Sequence, residues 1–319
     1  MSDTPSSTRA VDAPIAHRLV HCCYNTDDAA GVLCFLREGL GLPVVVTGGV
    51  STYDAGAFGD FGVVRAQISL VFDECGPRVS AGLELHGCID PPAHGSPHDS
   101  VGTPGIQALG LEVPDVNAAL DRAIRHGACL LSDLSGSDLD RVLGVSGAVS
   151  IRDSQGVTFD LVGSELGAGP TRIRHLRLTC RDVDKSAEWY EAVGAIDRSQ
   201  SSAYAGRDAH GGGGQLETAT RRLCFAGGHC ELILGEWPNA PVGEPYTGPS
   251  HRGLYRMALA VDDMSAAVSH VQHAGIALRQ PPQFLTVQGT KVPPLLVAFF
   301  CDPDGVPVEL IERDRSAFE

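Results

Sequence analysis

The sequence predicts an α+β chain in which one unit, a strand, a helix and about three further strands, occurs four times. The first observation behind this is an internal duplication. Gly87/Gly235, Gly95/Gly243, Pro97/Pro245 and, further on, Asp115/Asp263 all recur at one constant offset, and self-similarity of that kind marks a repeated architecture. The second is that each half divides again. RLVHCCYNTDDAAGVLCFL, IQALGLEVPDVNAALDRAI, IRHLRLTCRDVDKSAEWY and YRMALAVDDMSAAVSHV each read as a short strand, an Asp and an amphipathic helix. Third, each of the four runs into β-rich sequence that closes on a similar strand: AGLELHG, VTFDLVG, HCELILG or VPVELIE.

The elements follow in order. In the second unit Asp115 is placed to cap a helix, Val116, Ala119, Leu120, Ala123 and Ile124 make its apolar stripe, and Gly127 ends it. Met264, Ala267, Val268 and Val271 repeat that stripe between Asp263 and Gly275. Two closing strands follow the turn sequences RDSQG and CDPDG. The Gly-rich GSELGAGP is the expected boundary between halves. This gives residues 17–163 and 171–313 as two bimodular halves, 164–170 as linker, 1–16 as a disordered start and 314–319 as a tail.

Composition narrows the function. A chain of 319 residues accommodates two domains. Its formal charge of −15 is repelled by phosphate backbones and anionic lipid surfaces, so nucleic acid and membrane are not expected partners. No long apolar run or signal peptide is evident, and the expected location is cytoplasmic. Ten Cys form no CxxC pair, and most sit in apolar stretches as reduced small hydrophobes. HGGGG, residues 210–214, lacks the context of a phosphate loop and reads as a turn or lid.

HLRLTCRDVDKSAEWY followed by DPDGVPVEL resembles the vicinal oxygen chelate superfamily of glyoxalases, bleomycin-resistance proteins, extradiol dioxygenases and epimerases. The resemblance spans roughly residues 17 to 313. It implies paired βαβββ modules forming two cup-shaped mixed sheets. A divalent metal would be held by residues of the first and last strands.

Strand alternation names the residues facing each cup. Val20, Cys22 and Tyr24 are expected under the first helix, with His21, Cys23 and Asn25 facing the cup. In the third module His175, Arg177 and Thr179 face it. His21 and His175 precede Asp28 and Asp182 by the same interval, at which the other two modules carry Ala108 and Arg256. Each closing strand offers a carboxylate flanked by apolar residues: Glu84, Asp160, Glu231 and Glu309. Burying such a group is costly without a cation. His21, Glu84, His175, Glu231 and Asp160 are therefore the candidate ligands for one divalent ion among zinc, nickel, cobalt, manganese and iron. Arg256 is expected to pair with Glu309 and to weaken metal binding in its cup. Arg256 and Arg177 are candidate substrate-binding groups. Glu309, His86 and His229 are candidate catalytic groups, the two His lying two residues from Glu84 and Glu231. His94, His98, His251, His270 and His273 read as solvated surface.

Three functions fit. The first is a metal-dependent lyase or isomerase that moves a proton on a small oxygen-rich metabolite. The second is an extradiol dioxygenase, which Arg256 disfavours because that family's pattern needs a second His there. The third is a metal-free small-molecule binding or drug-resistance protein. Sequential or crossed pairing of modules is open, as is a homodimer.

Overall fold

The computed structural model describes residues 15–54, 62–98, 100–131, 137–199, 219–237, 240, 242–243, 246 and 248–318. Most of the N-terminal start and all of HGGGG lie outside these residues. Module one comprises β1 (Ala16–Thr26), α1 (Ala29–Cys34) with a π-helical turn over Phe35–Gly39, β2 (Val44–Asp54), β3 (Val63–Val71) and β4 (Gly82–Asp90). Module two comprises β5 (Gly105–Val113), α2 (Val116–Arg125), β6 (Cys129–Leu130), α3 (Ser137–Leu143), β7 (Val149–Arg152) and β8 (Thr158–Gly163). Module three has β9 (Arg172–Cys180), α4 (Val183–Ala192), β10 (Ile196–Asp197), β11 (Ala219–Cys224) and β12 (Glu231–Glu236). Module four has β13 (Gly253–Val261), α5 (Met264–His273), β14 (Gln280–Leu285), β15 (Leu295–Cys301) and β16 (Pro307–Glu312), followed by a 3-10 turn over Arg315–Phe318.

The four capping aspartates act as their positions predict. Asp28, Asp115, Asp182 and Asp263 each accept from a backbone N–H three residues on, at 2.9, 3.0, 3.0 and 2.8 Å. Each satisfies a donor that the helix start leaves open. Gly127 and Gly275 follow α2 and α5 at φ +93° and +81°, a backbone that disfavours any side chain.

The strands form two sheets of eight. One runs β14-β15-β16-β13-β1-β4-β3-β2 and the other β10-β11-β12-β9-β5-β8-β7-β6. Module one thus pairs with module four, through antiparallel β1 and β13, and module two with module three, through β5 and β9. Pairing is crossed, and each cup takes one module from each half of the chain. The helix-facing sides of both sheets share one apolar core, which includes Leu36, Tyr24, Leu85, Phe159, Leu176, Tyr190 and Phe300.

The central strand pairs are irregular, and this redirects side chains. Between Leu19 and His21, β1 advances two residues while β13 advances one. The surplus turns Val20 to the cup face, where it packs with Val64, Ala66 and Phe299. The expectation of Val20 beneath α1 is thus corrected: strict alternation fails at a β-bulge. Cys22 and Tyr24 do join the helix-side core.

Candidate metal centre

The cup of modules one and four gathers side chains from four adjacent strands, β16, β13, β1 and β4. In the parallel pair β1 and β4, Cys23 lies directly across from Glu84, with His21 two residues earlier. In β13 and β16, Ala258 lies across from Glu309 and also across from His21. A second irregularity, on β13 between its partners of Cys22 and Tyr24, opposes Tyr255 and Arg256 to Cys23. Five groups therefore meet on one face.

They converge on Oε2 of Glu84. Arg256 Nη2 donates to it at 2.6 Å and Cys23 Sγ at 2.7 Å, while Nε2 of His86 and His21 stand 3.0 and 3.3 Å away. Arg256 Nε faces Glu309 Oε2 at 3.2 Å, and His21 Nε2 is 3.7 Å from the same oxygen. The Tyr53 hydroxyl is 3.1 Å from His86 Nδ1. All of these but Tyr53 are buried. Sequence reasoning foresaw the Arg256–Glu309 pair, and Glu84 makes it a three-membered bridge.

Charge governs the titration here. Burial opposes ionisation of Glu84, yet His21, His86 and Arg256 together hold its carboxyl well below the usual range. Burial likewise opposes a charged His21, and the Glu84 carboxylate overrides it, holding the imidazole well above its ordinary value. Burial pushes the Cys23 thiol up to about 12.

These residues fit a divalent ion. Ligand atoms of His21, Cys23 and Glu84 lie within 4.8 Å of one another. Nε2 of His21 and Nε2 of His86 are buried and make no hydrogen bond, and a buried polar atom without one is costly. The structure brings His21 and Glu84, two of the expected ligands, together with Cys23.

The other cup differs. Asp160 receives Arg177 Nε at 2.8 Å and Nη2 at 3.2 Å, with Ser150 Oγ also donating to it, and His175 Nε2 is 3.4 Å away. Burial opposes ionisation of Asp160, but Arg177 holds its carboxyl well below the usual range. Burial lowers the His175 pKa. Gly110 makes room for the His175 ring, which a Cβ there would meet at 2.0 Å. Arg177 is therefore committed to Asp160.

Glu231 is not where the closing-strand pattern put it. Cys23, Gly110 and Ala258 lie across from Glu84, Asp160 and Glu309. By that frame the third-module position is Ile233, which lies across from Arg177. Glu231 falls one pleat early, pairs with Arg222 at 2.5 Å and forms no three-ligand group with His175 and Asp160 among the described residues. Ile233 instead packs with Val162, Trp237 and, from α3, Leu139, Val142 and Leu143. The extra helix fills this cup. Arg222 Nη1 also donates to the Leu143 carbonyl at 2.7 Å, fastening the helix end to Glu231.

Other expectations change too. His229 is exposed in the turn after Gly227 and Gly228, before β12 begins, so it shares no cup face with Glu231. His98 and His251 are buried, not solvated. His98 stacks on Tyr246 at 4.1 Å, and His251 Nε2 is 2.8 Å from the Ser96 carbonyl, because the two linkers pack together. Tyr53 was missed, since β2 carries no recognisable pattern. Cys23 was placed on the cup face but read as a small hydrophobe.

Two eight-stranded curled sheets, built of βαβββ modules with a polar cluster on first and last strands, define a glyoxalase-like fold. Residues 172–310 match the family model of the Glyoxalase/Bleomycin resistance protein/Dioxygenase superfamily. Across the whole chain the fold is similar to that of glyoxalase I from Zea mays, with TM-score 0.63 at 15% identity, covering 95% of this chain and 94% of that one. A mutant form of the same Zea mays enzyme gives 0.62 at 17% identity, with 95% and 94% covered. A candidate dioxygenase from Bacillus subtilis gives 0.61 at 14% identity, with 96% and 88% covered. Sequence comparison with curated proteins finds no match. No helix among the described residues is long and apolar enough to cross a membrane.

Proposed function

We propose that the cup of modules one and four is the active site of a metal-dependent lyase or isomerase that moves a proton on a small metabolite with adjacent oxygens. The observation that carries this reading is the meeting of His21, Glu84, Arg256 and Glu309 at one buried point. The fold likeness to glyoxalase I supports the class.

A divalent ion held by His21 and Glu84 would polarise a substrate carbonyl and acidify the carbon beside it. Glu309 is the proton acceptor, a carboxylate at the cup centre held 3.2 Å from the Arg256 guanidinium. Arg256 also stabilises the oxyanion that develops as the proton leaves. His86, 3.1 Å from the Tyr53 hydroxyl, places its Nε2 3.0 Å from Glu84. The apolar wall of Val64, Phe299 and Val297 excludes water from the face. His175, Asp160, Arg177 and Glu231 support the fold of the second cup. The protein is cytoplasmic in this reading, with a small molecule as its partner.

The test is metal-dependent exchange of a carbon-bound proton. Protein purified without chelators is incubated in D2O with a panel of 2-hydroxycarbonyl and 2-ketoacid compounds, and deuterium incorporation is followed by NMR. Exchange that is lost on chelation and absent from the Glu309→Gln variant is the expected result. A second reading, a metal-free binding protein, is favoured by the Arg256 guanidinium lying within the cup. It gains the ground if no metal copurifies and no exchange occurs.

A further inference from the structure

Within the cup of modules one and four, we infer that Cys23 is a thiolate ligand of the divalent ion, which makes the centre a His/Cys/Glu site selective for zinc or cobalt over magnesium and manganese. This rests on the metal reading above and specifies its donor set.

Three observations lead there. The first is position. Cys23 is fully buried, directly across from Glu84 in the strand register, and its sulfur is 2.7 Å from Glu84 Oε2. The sulfur, His21 Nε2 and a Glu84 oxygen form the one group of three or more close His/Cys/Asp/Glu ligand atoms among the described residues.

The second is the loss of another corner. The module-four position corresponding to His21 is Arg256, and a guanidinium cannot ligate a cation. Arg256 engages Glu84 at 2.6 Å and Glu309 at 3.2 Å, and of these two carboxylates only Glu84 joins a close three-ligand group among the described residues. Two ligands alone, His21 and Glu84, fall short of the three that hold a catalytic ion with an open position. Cys23 supplies the third from within module one, so the ion does not depend on module four.

The third is charge balance. With the imidazoles neutral, as metal binding requires, the buried cluster holds two carboxylates, Glu84 and Glu309, against one guanidinium, a net of one negative charge. A divalent cation over neutral imidazole would turn that into one positive charge. A thiolate at Cys23, its proton released to solvent as the ion binds, brings the cluster to neutrality, which a buried site favours. Thiolate is a soft donor, and it shifts preference away from magnesium and manganese.

The experiment uses the full-length apoprotein titrated with Co2+ under anaerobic conditions. A thiolate-to-cobalt charge-transfer band in the near ultraviolet is expected. It should persist in Cys22→Ser, whose sulfur sits in the helix-side core, and vanish in Cys23→Ser. Cobalt and zinc affinity in Cys23→Ser should fall on the order of 100-fold or more, since even losing a residue that only supports a ligand costs ~10 to 100-fold. Circular dichroism of Cys23→Ser establishes that it folds. If it does not fold, Cys23→Ala takes its place, and a band kept by that folded variant overturns the role of Cys23. Cobalt bound tightly without the band, with affinity unchanged in Cys23→Ser, overturns the role of Cys23 and leaves the metal reading intact. No cobalt bound by wild type overturns both.

Discussion

Arg256 is the residue on which the character of the site turns. It bridges Glu84 and Glu309, two buried carboxylates that would otherwise repel each other. Removing one partner of a buried ion pair costs ~3 to 5 kcal/mol, because the remaining charge stays unpaired. Arg256→Gln is therefore expected to lower apoprotein stability by about that amount in urea titrations. The same variant should bind zinc more tightly, since a positive charge beside the ion is gone. Lower stability combined with weaker zinc binding would count against the account. A second residue gives a pH signature. Asp302 accepts from Tyr190 at 2.9 Å and from two backbone N–H groups, yet burial pushes its carboxyl up to about 6. The unfolded chain releases that proton near pH ~4. Between those values the folded state binds more protons, so this group's contribution to stability falls as pH rises, by up to ~3 kcal/mol. Urea midpoints at pH 4.5 and 6.5, in wild type and in Asp302→Asn, measure it: the gap should open in the variant's favour as pH rises.

Elements show which parts of the design were legible from sequence. The helices were, because their signals are local: Asp28, Asp115, Asp182 and Asp263 cap them, and the apolar stripe after Asp115 is buried at Ala119 and Ala123. Strand faces were legible where alternation is regular, as for Leu176, Leu178 and Cys180, and failed at Val20, where a bulge set by the neighbouring strand intervenes. Register was not legible for β12. Glu231 lies in an apolar strand like the other three carboxylates, but its place depends on pairing with β9, which no local signal specifies. The α3 helix went unseen as well. Its Leu139, Val142 and Leu143 fill the second cup against Ile233 and Val162. Leu139→Ala should cost ~2 to 5 kcal/mol in denaturant titrations, while leaving the bound metal of the first cup unchanged. A loss of metal in that variant would mean that the second cup holds ions too.

At the scale of the molecule, the outer two of the four βαβββ modules pair with each other and the inner two pair with each other. Sequence reveals the repeat but not the pairing, because partner choice depends on contacts between β1 and β13, more than two hundred residues apart. The two cups differ in content. One retains His21 and Glu84 with Arg256 and Glu309, and the other has become packed interior around Asp160 and Arg177. We propose residues 17–163 and 171–313 as the two units of duplication, with 164–170 joining them. Neither unit holds a complete cup, so each expressed alone should aggregate, and coexpression should recover a soluble complex. The central claim is that one cup, that of modules one and four, holds the metal. Elemental analysis of wild type, His21→Ala and His175→Ala, each folded and purified without chelators, tests it most directly. The account predicts about one equivalent of divalent metal in wild type and in His175→Ala and none in His21→Ala; metal kept by His21→Ala and lost from His175→Ala would contradict it.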